Sequence, residues 1–566
     1  MKKFPFLFAV AVSLLALPHL SFAQEHNCAE CTDGCKNKVV VRHLDDYIKQ
    51  VVDTWQLPGL AAAFSIDGKL VYAKGFGVKE LRPADGVGFK GSLASDTRIA
   101  SGGYRGVVNE PGLPVDANTV FQIGSVSKSF TATLMAILID EGKVKWEDTV
   151  KNILPDFKMY DPWVTENMQV KDIMTHRTGI AEQAGTYIPN LGYDRDDIYK
   201  MLALIKPAYS FRGAYEYNNI TFIIAEKIIE KITGKTWEEN VRERIFEPLG
   251  MKSSGLNAAG FANAPDVATP HDYSCGENGI TALPLYADEQ ALHWLTVVGP
   301  AGSVCSSVND MARYAQMHCN NGWYAKPNAA GGTDTVRIMS EQAMKTLHKG
   351  VTITSQNENR TTLYAPCWFV EQNNRYRLYF HTGTTWGMTA LCFYVPEIGF
   401  SGVILVNSEA NTSPRYAIMR RGIDLMLGSE LKDYSKEDFE NWLKKSKESA
   451  AKTAQKKAAV ADSVARGLKK TASAPDKKAL VGKYVKDELF GNAEITLEKG
   501  VLYIAIGKKG YKNPLKHIEG NKYEFRSDGH AFPVNFTMTG DGRKAAGFEV
   551  EFNYGEEKDF GGWVRK

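Results

Sequence analysis

Across 566 residues the chain has almost no excess of either charge, with 68 Lys and Arg against 65 Asp and Glu. That balance offers no basic face for nucleic acid, and the one clustered basic stretch, 430–479, is better explained as a solvated helix. Beyond the first two dozen residues no apolar run is long enough for a membrane span. A Gly-rich phosphate loop, a dinucleotide fingerprint, a His-Glu-x-x-His pair and internal repeats are all missing. Their absence removes the common nucleotide-dependent and zinc-peptidase readings. Cysteine is scarce, at 8 residues, and Cys28, Cys31 and Cys35 crowd the N-terminus. No His or Cys pair nearby completes a zinc spacing. An exposed disulfide loop is therefore favoured over a metal site there, and no metal or other cofactor is expected. The pairing of Cys275, Cys305, Cys319, Cys367 and Cys392 is not readable from their spacing.

What is present begins with a targeting segment. Lys2-Lys3 precedes an apolar run from Phe4 to about Leu17 and then Ser21-Phe-Ala23. A positive start, an apolar stretch too short to span comfortably and a small-x-small site predict a cleaved export signal over 1–23, with maturation at Gln24. The expected compartment is the periplasm or the exterior, where disulfides persist. Hydrophobic content of 44% and charged content of 23% are ordinary for a globular protein, and the length suggests two or more domains.

A Cys-containing segment over 24–40 leads into a first domain expected over 41–429. Leu44, Tyr47, Ile48, Val51, Val52 and Trp55 recur at helical spacing. Gly59 to Ile66 and Leu70 to Lys74 read as strands joined by a hairpin turn at Asp67-Gly68. From Arg82 to about Pro114 a Gly- and Ser-rich stretch predicts a long loop that overhangs a site. Mostly helical sequence follows from Ser125 to about Leu249, and strands resume after Pro366. Cys367–Val370, Tyr376–His381, Met388–Val395 and Gly402–Val406 read as consecutive antiparallel strands. Ser413-Pro414 then starts a last helix that ends near Gly428. The fold class expected is α/β (α+β): an antiparallel sheet between terminal helices, with an inserted helical subdomain. A charged helical linker over 430–479 leads to short strands over 480–566, a small C-terminal β-barrel or sandwich.

Ser125-Val-Ser-Lys128 carries the chemistry. A serine three residues before a lysine at a helix start places Oγ and Nζ on one face. A buried lysine of lowered pKa can then deprotonate the serine. By itself the tetrapeptide is weak, because about two or three copies arise by chance at this length. For it alone the alternative stands that Ser125 caps the helix and Lys128 is superficial. Ser449-Ala-Ala-Lys452 is a visible decoy in the charged linker. Context separates the two: Phe121-Gln-Ile-Gly124 precedes Ser125, and the apolar run Phe130–Ile139 follows it. Tyr217-Asn-Asn219 and His381-Thr-Gly383 come later in order. His176, in Ile173–Gly179, is either catalytic or a structural histidine holding its loop.

Together these motifs resemble the serine β-lactamase and penicillin-binding-protein superfamily, whose pattern is S-x-x-K, then S-x-N or Y-x-N, then K-T-G. The tyrosine version is similar to the class C branch, which includes D-alanyl-D-alanine carboxypeptidases, D-amino-acid amidases, esterases and some acyltransferases. Gly75-Phe-Gly77, Ala301-Gly-Ser-Val304 and Gly387-Met-Thr-Ala390 extend the resemblance over about 40–428. It implies Ser125 as nucleophile, Lys128 as base and Tyr217 as partner in proton transfer, a phenol of lowered pKa. It further implies that Asn219 binds substrate amide or orients Lys128. The N–H groups of Ser125 and Thr384 would form an oxyanion hole, and His381, Thr382 and Gly383 would lie along the substrate. His381 departs from the family lysine, which predicts weak anchoring of a carboxylate and weak β-lactam hydrolysis. The expected activity is an exported serine hydrolase acting through an acyl-enzyme on a small-molecule or peptide ester or amide. Acyl transfer and non-catalytic ligand binding are the alternatives.

Overall fold

The computed structural model describes residues 33–81, 112–276, 279–285, 289–328, 331–409, 413–465, 474–527, 530–551 and 562–566. The export segment, Cys28, Cys31 and most of the 82–114 loop lie outside these residues, as does the side chain of Cys35. Helix α1 (Asp33–Trp55) buries the predicted stripe from Leu44 to Trp55. It begins earlier than the periodicity suggests. Strands β1 (Gly59–Ile66) and β2 (Lys69–Gly77) form the expected hairpin, with positive φ at both Asp67 and Gly68.

The sheet continues with β3 (Thr352–Asn357), β4 (Arg360–Ala365), β5 (Trp368–Gln372), β6 (Arg377–Thr385), β7 (Met388–Val395) and β8 (Phe400–Val406). Its order is β3-β4-β5-β6-β7-β8-β1-β2, antiparallel throughout. β3 and β4 start before Pro366, where no strand was expected. Their residues are rich in Thr, Gln and Asn, and β3 is mostly exposed, so they lack an apolar alternation to reveal them. The period of two sorts the central strands. Leu60, Ala62, Phe64 and Ile66 of β1 pack with α1, whereas Ala61 and Ala63 join the core on the other face.

That second core is built by the inserted helices. α2 (Ser127–Asp140) is buried on all sides from Ser127 to Leu138, as its unbroken apolar run requires. α3 (Phe222–Thr233) ends at Gly234 in the left-handed conformation. α4 (Glu289–Val297) and α5 (Val308–Cys319) follow among several shorter helices, with α5 lying across β1, β7 and β8. On the outer face α6 (Ser413–Leu427) packs beside α1. The charged segment forms α7 (Tyr434–Ala465). Its start is docked: Trp55 meets Phe439 and Trp442 at centroid distances of 5.1 and 5.4 Å, and its indole N–H donates to Ser435 at 3.0 Å. Only the later turns are solvated, and Ser449 and Lys452 lie there, exposed.

Eight antiparallel strands between Gly482 and Arg565 close into a barrel around Tyr484, Ile504, Phe525, Phe548 and Trp563. The barrel is docked on the helical subdomain. Tyr193 donates its hydroxyl to Phe490 O at 2.8 Å, and Lys508 pairs with Asp197. A Cβ on Gly192 would lie 2.7 Å from Lys509 Cβ, so the barrel hairpin needs glycine there to approach. Cys305, Cys319, Cys367 and Cys392 are buried thiols of the main core. Among the described residues no helix is long and apolar enough to cross a membrane, and no cluster of His, Cys, Asp and Glu is suited to a metal ion.

Candidate active site

The turn before α2 is clamped from behind. Phe121-Gln122 pairs with Cys305-Ser306, and the N–H of Ile123 donates to Val304 O at 3.0 Å. Gly124 takes φ +51°, which swings the chain into the helix and leaves Ser125 partly exposed within a buried stretch.

Lys128 is fully buried one turn later. Its Nζ lies 3.0 Å from Ser125 Oγ, 2.7 Å from Asn219 Oδ1 and 3.0 Å from Ala301 O. Burial pushes its pKa down to about 7, partly offset by the nearby Cys367. A neutral amine has two N–H bonds and one lone pair. Asn219 and Ala301 are acceptors, so they take the two hydrogens and the lone pair is left for the Ser125 hydroxyl. Asn219 is itself oriented, its amide N–H donating to Gln183 Oε1 at 2.9 Å and lying 3.5 Å from Thr186 Oγ1. Gln183 carries no sequence signal, since only the fold brings the 183–186 loop against the second motif.

Tyr217 hydrogen-bonds to Ser125, and its ring packs on His176 with centroids 4.4 Å apart. Its pKa is not lowered as expected. Burial raises it, and the hydrogen bond to Ser125 opposes this only in part. Lys128 Nζ lies 4.6 Å from the ring centroid, over the π face, and does not offset the burial of the hydroxyl. Tyr217 is therefore a neutral phenol that can relay or donate a proton. His176 is structural. Its Nδ1 accepts the Asn218 N–H at 3.1 Å, and burial holds the ring neutral. Its ring thus supports the face of Tyr217.

β6 supplies the opposite wall. Its pairing with β5 ends at Phe380, while pairing with β7 continues to Thr385. Residues 381–385 thus keep a free edge on the β5 side. A Cβ on Gly383 would lie 1.8 Å from Ile123 O and 2.9 Å from Ser125 N, and one on Gly124 would lie 2.7 Å from Thr384 N. These contacts bring the amides of Ser125 and Thr384 together. Thr384 is exposed, but Thr382 does not face Ser125 as expected: strand alternation turns it to the other face, onto a groove of about 670 Å³ between the sheet and α6. His381 is buried: Nδ1 lies 2.7 Å from Thr382 O and Nε2 3.0 Å from Tyr364 Oη. The carbonyl requires the proton on Nδ1, so Nε2 accepts from Tyr364. Burial and the Lys128 charge push its pKa down to about 3, so it is neutral. Arg415, which sequence reasoning missed, is fully buried behind this strand, with Nη1 3.4 Å from Gly383 O.

This serine, buried amine and sheet edge have the architecture of a serine β-lactamase-fold hydrolase. The β-lactamase family profile matches residues 44–423, and the chain belongs to that family. Among curated relatives, the unguisins hydrolase of Aspergillus campestris is 25% identical over 428 residues, 72% of this chain and 70% of that protein. Penicillin-binding protein 4 of Amycolatopsis lactamdurans is 27% identical over 53% of this chain and 76% of its own. The teichoic acid D-alanine hydrolase of Staphylococcus aureus is 31% identical over 30% of this chain and 41% of its own. In fold, the octameric penicillin-binding protein homologue from Pyrococcus abyssi aligns with a TM-score of 0.51 at 20% identity, over 90% of this chain and 98% of that one.

Proposed function

We propose that the protein is an exported serine hydrolase that forms an acyl-enzyme on Ser125 from an ester or amide substrate. One observation carries this: the Lys128 amine is fully buried with Nζ 3.0 Å from Ser125 Oγ, and that burial lowers its pKa to about 7. Oγ attacks the carbonyl carbon as its proton passes to Lys128. The oxyanion so formed accepts hydrogen bonds from the Ser125 and Thr384 amides. When the tetrahedral adduct collapses, the proton moves through Tyr217 to the departing alkoxide or amine. Water then attacks the acyl-serine ester by the reverse route, releasing a carboxylic acid and returning the proton to Ser125. The tyrosine form of the second motif supports a class C-like subtype, and the hydrolase names among the relatives support hydrolysis. A neutral His381 disfavours substrates held by a carboxylate at that end, β-lactams included. The apolar N-terminal segment supports release to the periplasm or medium.

Ser125→Ala tests the reading. Turnover of an activated short-chain ester is expected to fall by about 10⁴-fold or more, with the fold intact by circular dichroism. Intact-protein mass spectrometry should detect an acyl adduct on the wild type and none on the variant. Equal turnover by both would refute the assignment.

A further inference from the structure

Just past Thr384, two indoles contributed by different parts of the chain meet. Trp386 sits in the β6–β7 turn, two residues after Thr384. Trp294 comes from α4, and the two ring centroids lie 5.2 Å apart with the planes tilted by 59°. Both side chains are partly exposed. Trp294 is also tied to the opposite wall. Its indole N–H donates to Thr186 O at 2.7 Å, and Thr186 Oγ1 lies 3.5 Å from Asn219 Nδ2. The pair therefore spans from the Asn219 side to the Thr384 side.

α4 is held in that position by the barrel. Gln290 contacts Asn513 at 3.3 Å and accepts from Ser527 at 2.6 Å. The aromatic wall is thus anchored through the C-terminal domain and does not hang from a free loop.

Which part of a substrate reaches this wall follows from the chemistry, on the reading that Ser125 acylates. Tyr217, which serves the leaving group, packs through His176 and Tyr364 toward His381. The leaving group therefore lies at the His381 end of the free edge. The acyl substituent runs the other way, past Thr384, onto the indoles. We propose that Trp294 and Trp386 form an acyl-side subsite that selects acyl donors bearing an aromatic or large apolar group next to the scissile carbonyl. Aromatic rings gain from offset or edge-on contact with indole in addition to area burial, and an apolar pocket of this kind discriminates by about 10–200-fold.

The test uses full-length protein and two esters with one leaving group, p-nitrophenyl acetate and p-nitrophenyl phenylacetate. The wild type should favour phenylacetate in kcat/KM by about tenfold or more. Trp386→Ala should reduce that ratio by about tenfold, and Trp386→Phe should restore most of it. A ratio unchanged in Trp386→Ala, or a wild type with no preference, overturns the subsite. A second readout is independent of turnover: calorimetric binding of phenylacetamide and acetamide to the Ser125→Ala protein, with and without Trp386→Ala. Weaker binding of phenylacetamide on loss of Trp386 supports the subsite, and equal binding overturns it. If the wild type cleaves neither ester, the hydrolase reading fails, and the amide binding decides the subsite by itself.

Discussion

Lys128→Met is expected to slow acylation by about 10²–10⁴-fold, the range over which a positioned general base contributes. Methionine fills nearly the same buried volume and removes the lone pair. The effect should appear in the single-turnover rate of acyl-enzyme formation, not in a loss of fold. The pH profile gives a sharper test. With the lysine pKa near 7, kcat/KM of the wild type should rise with pH through about 7 and then level off, because only the neutral amine accepts the Ser125 proton. The variant should lose that inflection. If it persists, another group is the base.

A stability consequence follows from the same shift. The folded pKa lies below the unfolded one, so between about pH 7 and the ordinary lysine value of about 10.4 the unfolded chain holds a proton that the native chain does not. The contribution of this site to stability therefore rises with pH across that window. Below it both states are protonated, and the burial penalty is constant. Denaturant titrations of wild type and Lys128→Met over the window should differ in slope in that sense.

Much of this arrangement is legible in the sequence, for reasons that also explain what is not. Ser125 and Lys128 lie within one helical turn, so their proximity is a matter of local geometry. The buried helix behind them is written as an unbroken apolar run. Strands β5 to β8 announce themselves by β-branched and aromatic residues between turns. Gln183, Tyr364 and Arg415 give no such signal. Each reaches the site by long-range packing, and each is of a type that occurs on any protein surface. The lowered pKa expected of Tyr217 fails for a related reason. The charge of Lys128 is evident in the sequence, but whether it faces the hydroxyl or the ring is a tertiary fact. In α7 the Lys and Glu content hides Phe439 and Trp442, whose contacts with Trp55 dock the helix start. The polar strands β3 and β4 lack the alternation by which a half-buried strand is recognised.

Gly383→Ala is expected to produce the second large effect. The added methyl would lie 1.8 Å from Ile123 O and 2.9 Å from Ser125 N, both backbone atoms that cannot rotate away. Either β6 or the Ser125 turn must move, and the amides of Ser125 and Thr384 separate. Loss of one oxyanion donor typically lowers kcat by about 10²–10³-fold, so a fall of that size is expected, with a smaller change in KM. A useful control is Gly142→Ala at the end of α2. Gly142 has φ +71° but nothing within 4 Å of the added methyl. That variant should lose about 1 kcal/mol of stability from backbone strain and keep its kcat. If Gly383→Ala behaves like Gly142→Ala, with a lower melting temperature and unchanged kcat, then close apposition of the sheet edge to the Ser125 turn is structural, and the oxyanion is held elsewhere. If kcat falls alone, Gly383 is required because the reacting carbonyl must lie between two amides that no side chain separates.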